Sequence, residues 1–390
     1  MVEIPGMLMV GAICKSDGRT AFARALIERF GALNEIVAVK VTTVDSFNTS
    51  HHPEISRSQA DGSCTGPWCI TEEKDPCSNT DTGETPAAGA GKVLWLSARK
   101  SHLARAVDAL AETLGKETVS ICESNDARSV IEPDAFIVIE GKENGARKPS
   151  TREIAGYADR IVISDGTGFD IDPNDIQLID GRWIVRMPAT AIILAGGGSR
   201  RMGRDKTMLP IAGKPMIRRV YETVRPYFAQ TLISSNSASL YDFLASTIVP
   251  DEVTGRGPLM GIVSTLKVSA NDANFVIACD IPDIDTGLIK TMLRQARDYD
   301  AVVPRVGPDL YEPLFAVYKK SALSAMEESL RSGHNKIMSA LSRCRVKFVD
   351  LPGREFGNIN TRAEYRGLVK RKTGGKSVDY TAKSQSRHSG

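Results

Sequence analysis

Short apolar runs rich in β-branched residues alternate with amphipathic stretches along both halves of the 390-residue sequence. In the first half, GKVLWL is followed by SHLARAVDALAETLG, where apolar residues recur every three or four positions, as in a helix with one buried face. ATAIILA and FVIACD are similar runs in the second half. This alternation is typical of parallel sheets with helices on both faces. Because the chain exceeds the usual size of one core, the sequence predicts an α/β protein with two three-layer domains.

The predicted domain boundary lies in SDGTGFDIDPNDIQLIDGRWIVRMP, a segment heavy in Asp, Gly and Pro. We expect a first domain over 1–170, a linker over 171–188, a second domain over 189–369 and a disordered basic tail over 370–390. The tail is rich in Ser, Lys and Gly and poor in apolar residues, which disfavours a packed core. Within the linker, QLIDGRWIV is also compatible with a small hairpin that turns at Asp180-Gly181.

The charge distribution argues against nucleic acid as a partner. The net charge is +3, but the tail from Lys370 to Gly390 alone has six basic residues and one acidic residue. The rest of the chain is therefore slightly negative, unlike a nucleic-acid-binding domain. No apolar run has the length of a membrane span, and the N-terminal MVEIPGMLMV lacks the basic start of a secretion signal. We therefore expect a cytoplasmic protein that binds neither nucleic acid nor membrane.

A glycine- and arginine-rich segment, LAGGGSRRMGRDK, follows the apolar run ATAII and ends at Lys206. Gly196 and Gly197 leave room for a phosphate to approach the backbone amides. Arg201 and Lys206 supply cations that suit a triphosphate. The same composition also suits a glycine turn with a solvated basic surface, so the motifs that follow decide between the two interpretations.

Several further motifs follow this segment, and together they resemble those of the molybdenum cofactor guanylyltransferases, the MobA-like enzymes. The segment itself matches the family signature LAGGxSxRMGxDK at every specified position. The later motifs keep the family's order: KPMIRRV, LISSN, PDEVTGRGPLMGI, ACDIP, EPLFAVY and FGNINT. The resemblance extends from Ala189 to Leu368 and implies a Rossmann-like nucleotidyltransferase fold. It also implies Mg²⁺-dependent transfer of GMP from GTP to molybdopterin, which gives molybdopterin guanine dinucleotide and pyrophosphate.

The resemblance also implies roles for individual residues. Arg201 and Lys206 stand at the two positions that contact the triphosphate, and Asp280 stands at the position of a catalytic, metal-binding carboxylate. The implied nucleotide-binding residues are Leu194, Ala195, Gly196, Gly197, Lys206, Asn236, Asp251 and Asp280. Asn360, or else Asn358, would complete the Mg²⁺ site. Asp280 closely follows the apolar run FVIA, a place that suits a hard cation, although an aspartate after a strand often only caps a helix.

Two features bear on the choice of nucleotide. The glycine pair at 196–197 stands where the related cytidylyltransferases have LAAG, and Asn360 stands where their last motif tends to have Asp. Both features favour GTP. One alternative is a CTP-using or other nucleotidyltransferase that acts on a phosphorylated acceptor. Another is a nucleotide- or metal-responsive adaptor that delivers the cofactor, with molybdoenzyme maturation proteins as partners.

The first half begins with a strand, a polar loop and a helix, the context of a phosphate-binding P-loop. Gly18, Arg19 and Thr20 match the end of GxxxxGK[ST] with Arg in place of Lys, and Ile13 stands where the first Gly belongs. Together with Asp81 and the AGA before the strand-like run GKVLWL, this degenerate P-loop resembles the MobB-like GTP-binding partners of the guanylyltransferases. The residues are compatible with a second nucleotide site and with a scaffold that binds none. Glu140, in the run FIVIEG, is compatible with the second acid of an NTPase and equally with a capping acid on an ordinary core strand.

Three cysteines lie in a polar insert between about 51 and 85. Four residues separate Cys64 from Cys69, seven separate Cys69 from Cys77, and two adjacent histidines precede them. Three thiols and an imidazole can hold Zn²⁺ or contribute to an iron–sulfur cluster. Because the insert has no CxxC pair, the residues are equally compatible with a loop whose thiols bind nothing.

Overall fold

Two compact units make up the chain, Met1–Met187 and Pro188–Gly390. The computed structural model describes residues 1–13, 18–44, 66–72, 89–142, 154–196, 205–359 and 361–372. Each unit has its own mixed α/β core around one main sheet. No helix within these ranges is long and apolar enough to cross a lipid bilayer.

The first unit has a sheet of seven strands among the residues described. The strands are β1 (Val2–Ala12), β2 (Ile36–Val44), β3 (Trp68–Glu72), β4 (Lys92–Arg99), β5 (Val119–Glu123), β6 (Ile131–Gly141) and β7 (Arg160–Ser164). The helices are α1 (Arg19–Gly31) and α2 (Leu103–Leu114). The strand order is β3-β4-β2-β5-β1-β6-β7. Each neighbouring pair is parallel except β3 with β4.

The side chains of β1 belong to two cores, because successive residues of a strand point to opposite faces of the sheet. Met9 packs in one core with Leu110 of α2. Leu8 and Val10 pack in the other core with Leu26 of α1. Helices therefore cover both faces of this sheet.

The segment 171–188, which its composition predicts to be a linker, contains a hairpin that packs into the first unit. Its strands are β8 (Ile176–Ile179) and β9 (Arg182–Val185). They turn at Asp180 and Gly181, whose φ angles are 49° and 72°, as a tight two-residue turn requires. Trp183 is buried, and its Nε1 donates to the carbonyl of Ser120 at 3.1 Å. Because this tryptophan belongs to the core beside α1, the linker interpretation is wrong for the hairpin.

The second unit is built on a mixed sheet. Its strands are β10 (Met187–Leu194), β11 (Pro210–Ile211), β12 (Lys214–Pro215), β13 (Phe228–Ser234), β14 (Thr247–Val249), β15 (Ala273–Ala278), β16 (Ala301–Gly307), β17 (Leu310–Tyr311), β18 (Phe315–Lys319) and β19 (Val346–Asp350). Its helices are α3 (Met216–Val224), α4 (Pro258–Val268), α5 (Thr286–Gln295), α6 (Leu323–Arg331), α7 (Ile337–Leu341) and α8 (Arg362–Lys372). The order is β14-β13-β10-β15-β18-β16-β17, with β19 beside β16. β18 runs antiparallel to both of its neighbours, β15 and β16.

Helices α4, α6 and α7 cover one face of this sheet. Ile192 of β10 packs there with Leu259 and Ile262 of α4, Leu330 of α6 and Leu341 of α7. The core thus lies directly behind β10, and it fixes the strand from which the glycine-rich segment emerges.

Helix α8 begins with a reciprocal cap directly after FGNIN. The amide of Thr361 donates to Oε2 of Glu364 at 2.9 Å, and the amide of Glu364 donates to Oγ1 of Thr361 at 3.2 Å. This is a capping box, which fixes where the helix starts. The helix extends to Lys372, so 370–372 are helical, whereas the rest of the expected tail, 373–390, lies outside the described residues.

Candidate active site

The ends of four strands of the second sheet meet at one edge. Just beyond β10, the amide of Ala195 donates to the carbonyl of Ser234 on β13 at 2.9 Å. Just beyond β15, the backbone amide of Cys279 donates to the carbonyl of Leu194, the last residue of β10, at 3.1 Å. The backbone amide of Ser235, just beyond β13, donates to the carbonyl of Val249, the last residue of β14, at 3.0 Å. These bonds hold the following segments side by side, at the kind of sheet edge where α/β proteins bind ligands.

Lys206 and Asp280 form an ion pair at this edge. Lys206 begins a 3₁₀ turn that Asp205 caps, with Oδ1 of Asp205 accepting from the amide of Thr207 at 3.0 Å. The side chains of Lys206 and Asp280 are 24% and 14% exposed, so both charges are partly desolvated and still reach the surface. Such a pair can present its cation to a phosphate and its carboxylate to a metal ion.

Asp280 does not cap the helix that follows it. Helix α5 begins at Thr286, and its cap is Asp285, whose Oδ1 accepts from the amide of Leu288 at 2.9 Å. Arg354 donates to the other oxygen of Asp285 at 2.8 Å. The capping interpretation of Asp280 is therefore wrong, and its carboxylate is paired with Lys206 instead.

A second acid, Glu312, lies just before β18 in the chain. It is close enough to Asp280 for the two charges to interact. Its Oε2 accepts from Nδ2 of Asn358 at 3.1 Å. The amide of Ile359 donates to the carbonyl of Asp280 at 3.1 Å. Burial raises the pKa of Glu312, the charge of Asp280 adds to this effect, and the hydrogen bond from Asn358 opposes it. The turn FGNIN is thus bonded to both acidic residues.

The oxygen atoms at this edge suit a hard divalent cation. Asp280 and Glu312 supply carboxylate oxygens, and Oδ1 of Asn358 is buried with no hydrogen-bond partner among the described residues. Mg²⁺ prefers carboxylate and carbonyl oxygens to thiolate or imidazole ligands. The expected ligand Asn360 lies outside the described residues, although the preceding Ile359 is bonded to Asp280. This donor set fits magnesium.

Asn236 and Asp251 bind each other across the ends of β13 and β14. Nδ2 of Asn236 donates to Oδ2 of Asp251 at 2.9 Å, and the amide of Asp251 donates to Oδ1 of Asn236 at 2.9 Å. The backbone of α4 comes close behind them at Gly261. A β-carbon there would lie 2.5 Å from Oγ of Ser234 and 3.4 Å from Oδ1 of Asp251. Glycine is therefore needed for α4 to support this polar pair so closely.

The predicted nucleotide-binding residues that the structure describes share this edge. Leu194 and Ala195 are buried, while Gly196 is exposed and has open space where a β-carbon would be. Gly197 and Arg201 lie outside the described residues. Sequence reasoning did not assign a role to Glu312, and the signal for it was the motif EPLFAVY, which this residue opens.

In the first unit, Thr20 meets an acid that sequence reasoning did not single out. Gly18, with φ of 80°, precedes α1, and Oγ1 of Thr20 donates to Oε2 of Glu123 at 2.9 Å. Nε of Arg19 lies 3.6 Å from the same oxygen. The acid that contacts Thr20 is therefore Glu123 on β5, whereas the sequence offered Glu140 on β6 as a candidate.

The cysteine insert gives no support for a metal centre in the part of the chain that the structure describes. Cys69 lies on β3 and is disulfide-bonded, so its thiol is not available as a metal ligand. Cys64 and Cys77 lie outside the described residues. No group of three or more His, Cys, Asp or Glu side chains in the described ranges is placed to hold a metal ion. The expectation of zinc or an iron–sulfur cluster is thus unsupported.

Comparison with known proteins relates the second unit to one family. A family model described as a MobA-like NTP transferase domain matches residues 191–346. A probable molybdenum cofactor guanylyltransferase of Pelotomaculum thermopropionicum is 42% identical over 163 residues, which cover 42% of this chain and 79% of the relative. A molybdenum cofactor guanylyltransferase of Syntrophotalea carbinolica is 32% identical over 186 residues, 45% of this chain and 88% of the relative. The crystal structure of molybdopterin-guanine dinucleotide biosynthesis protein A from Archaeoglobus fulgidus has 25% identity and a TM-score of 0.42, over 47% of this chain and 99% of that one.

Proposed function

The chain belongs to the family of MobA-like molybdenum cofactor guanylyltransferases, and we propose from this membership that its second unit transfers GMP from GTP to molybdopterin. An oxygen of the acceptor's phosphate bonds to the α-phosphorus of GTP, and the bond from that phosphorus to the α–β bridging oxygen breaks. The products are molybdopterin guanine dinucleotide and pyrophosphate. The observation that carries this proposal is that the Lys206–Asp280 pair and the Asn236–Asp251 pair lie at the same edge of the sheet.

Fixed cations near the phosphates lower the barrier, because negative charge develops on the α-phosphate oxygens and on the departing pyrophosphate. We assign this role to Lys206 and, from its position in the family signature, to Arg201. The ion pair with Asp280 holds the ammonium group of Lys206 at the sheet edge, where a bound triphosphate can contact it. A divalent cation, held by Asp280 with Asn360 and the nearby Glu312, would neutralise phosphate charge when bound.

The Asn236–Asp251 pair favours guanine over cytosine. Guanine presents two adjacent N–H donors, N1 and the 2-amino group, which a carboxylate such as that of Asp251 can accept together. Cytosine lacks this pair of donors, and a polar site built for them rejects a base that leaves its groups unpaired. The two hydrogen bonds of the Asn236 side-chain amide hold the carboxylate of Asp251 in one orientation, which supports GTP as the substrate.

We expect acceptor-dependent pyrophosphate release from GTP at least about a hundredfold faster than from CTP, ATP or UTP. The measurement uses the full-length chain with Mg²⁺, molybdopterin and each nucleotide in turn, and a coupled pyrophosphate assay. Reactions without acceptor and reactions with EDTA are the controls. Equal or faster turnover with CTP would overturn the GTP assignment, and the absence of acceptor-dependent release with any nucleotide would reject the transferase proposal.

The first unit supports a second candidate function, nucleotide binding, and the Thr20–Glu123 contact is the supporting observation. In P-loop proteins, a Ser or Thr hydroxyl and an acid on a nearby strand together hold the Mg²⁺ of the nucleotide. Thr20 at the start of α1 and Glu123 on β5, which pairs with β1, stand in this relation. Arg19 stands where lysine is usual and lies near the same carboxylate. We therefore propose nucleotide binding without efficient hydrolysis, since arginine does not reproduce a compact ammonium group.

Thr20→Val is expected to remove one nucleotide-binding site per chain and to leave guanylyl transfer within about twofold, because Thr20 belongs to the first unit and the proposed transferase residues belong to the second. Valine keeps the shape of threonine but lacks the hydroxyl. Equilibrium dialysis with labelled GTP and Mg²⁺ counts the sites in each full-length protein. Thr113→Val is the matched control, because among the described residues the Thr113 hydroxyl bonds the carbonyl of Ala109 within α2. Equal site counts in the wild type and in Thr20→Val would show that the first unit is a scaffold.

A further inference from the structure

Helix α4 lies directly behind the Asn236–Asp251 pair, and one of its faces contacts the chain just after β14. Gly261 and Ser264 are three residues apart in α4, so they lie on the same face of the helix. The helix comes close to the carboxylate of Asp251 at Gly261. At the next turn, Oγ of Ser264 accepts a hydrogen bond from the amide of Glu252, the residue after Asp251, at 3.0 Å. Ser264 is 3% exposed, so this hydrogen bond is shielded from water.

Two successive backbone amides are therefore held just beyond β14. The amide of Asp251 donates to Oδ1 of Asn236 at 2.9 Å, and the amide of Glu252 donates to Ser264. The peptide unit between Asp251 and Glu252 cannot rotate without breaking one of these bonds. The side chain of Glu252 also pairs with Lys267 of α4 at 2.8 Å, but it is 48% exposed, and ion pairs of this kind contribute little. The buried bond to Ser264 is thus the stronger restraint on this peptide unit.

The orientation of the Asp251 carboxylate matters because guanine offers it two N–H groups at once. A carboxylate that accepts two donors together binds them strongly only when both of its oxygens face them. Oδ2 of Asp251 is held by Nδ2 of Asn236 at 2.9 Å. The remaining freedom of the carboxylate is that of the backbone that carries it, and Ser264 restricts this backbone from the side of α4.

We propose that Ser264 is a positioning residue that fixes the chain at Asp251 and thereby sets the preference for guanine; this inference rests on the proposed function. Without the hydroxyl, the amide of Glu252 loses its buried partner, and the peptide unit after Asp251 is free to rotate. Only a fraction of the molecules then have the carboxylate in the guanine-binding orientation. The apparent affinity for GTP falls by that fraction, while bound GTP still meets Lys206 and Asp280 and reacts at nearly the normal rate.

Ser264→Ala is expected to raise the KM for GTP about tenfold and to change kcat by less than about threefold. The KM for ITP should rise by less than about threefold, because inosine has the N1–H group but lacks the 2-amino group, and a single hydrogen bond tolerates more orientations than a pair. The preference for GTP over ITP therefore narrows. Steady-state pyrophosphate release at saturating acceptor, with each nucleotide in turn, measures both effects.

Thr265→Val is the matched control, because it removes a fully buried hydroxyl from the next position of α4. The Thr265 hydroxyl bonds the carbonyls of Gly261 and Ile262 within the helix and does not contact Glu252. A serine that only supports the core would lower the unfolding temperature and the active fraction, with the preference for GTP over ITP unchanged. In an Asp251→Asn chain, adding Ser264→Ala should change the KM for GTP by less than about twofold, because the effect of Ser264 passes through this carboxylate.

Calorimetric titration of the full-length variants with GTP and with ITP, without acceptor, gives a readout that does not depend on transfer. A site in the first unit contributes equally to every variant, so the differences between variants report on the second unit. If the wild type releases no pyrophosphate but Ser264→Ala weakens GTP binding more than ITP binding, the proposed function fails and the inference stands. If the wild type is active and Ser264→Ala matches Thr265→Val in KM and in both affinities, the inference alone is wrong. Neither transfer nor any effect of Ser264→Ala on GTP binding would reject both.

Discussion

Asp280→Asn is expected to lower kcat/KM for GTP by about a thousandfold, because it removes the negative charge at the centre of the site. Asparagine keeps the size of the side chain and one oxygen, but it binds a divalent cation weakly and does not attract Lys206. The loss should appear chiefly in kcat, since the missing charge matters most when the α-phosphate and the pyrophosphate carry their developing charge. Steady-state pyrophosphate release at saturating acceptor measures it.

The strand that precedes Asp280 also provides the control for this variant. Asp272 precedes the other end of β15, pairs with Lys319 at 3.0 Å and is 60% exposed. Asp272→Asn removes the same charge from the other flank of β15, so activity within about twofold of the wild type is expected, in line with the small effect of exposed ion pairs. Similar unfolding temperatures for both variants would exclude misfolding. Near-wild-type transfer by Asp280→Asn would contradict the assignment of this carboxylate.

The place of Asp280 could be predicted because a buried parallel strand has a continuous run of apolar residues in its sequence. The end of that run shows where the strand ends. The run FVIA ends two residues before Asp280, and ATAIIL ends just before Ala195. The side chains that follow such runs lie at the carboxyl edge of the sheet. The hairpin turn at Asp180-Gly181 is equally local, because these two residue types accept the positive φ angles that the turn requires.

The place of Glu312 could not be predicted in this way, because it depends on the direction of a strand. In the parallel sheet that the alternation predicts, a residue just before β18 would lie at the edge opposite Asp280. β18 instead runs antiparallel to β15, with Phe315 level with Ile277, so its start lies where β15 ends. That reversal comes from long-range packing and is not encoded in the motif EPLFAVY itself.

The contact between Thr20 and Glu123 in the first unit could not be predicted for a related reason. Both β5 and β6 flank β1 in parallel, and an acid stands at or near the end of each. Register distinguishes them, since Glu123 is level with Val10, whereas Glu140 follows Ile139, which is level with Ala12. The sequence gives the order of strands along the chain but not their register, so it could not show which acid meets Thr20.

Lys206→Met is expected to lower kcat/KM for GTP by about a hundred- to a thousandfold, the usual cost of losing one fixed group that stabilises transition-state charge. Methionine keeps the unbranched aliphatic side chain and removes the ammonium group. Lys206→Arg should recover part of the activity, because guanidinium keeps the charge but spreads it over a larger planar group. Lys214→Met is the control, since Lys214 is 52% exposed and pairs with Glu222 at 2.7 Å. Its activity should match that of the wild type.

The dependence of the rate on Mg²⁺ separates two explanations of a Lys206→Met defect. If Lys206 only neutralises Asp280, its loss leaves the carboxylate more negative and better able to bind a cation, so saturating Mg²⁺ should restore transfer. If Lys206 binds the triphosphate directly, the missing contact lies on the substrate, and no concentration of Mg²⁺ replaces it. We expect the second result: a lower Mg²⁺ requirement together with a maximal rate that stays at least about a hundredfold below that of the wild type. Full recovery of transfer at high Mg²⁺ would show that Lys206 acts only by neutralising Asp280.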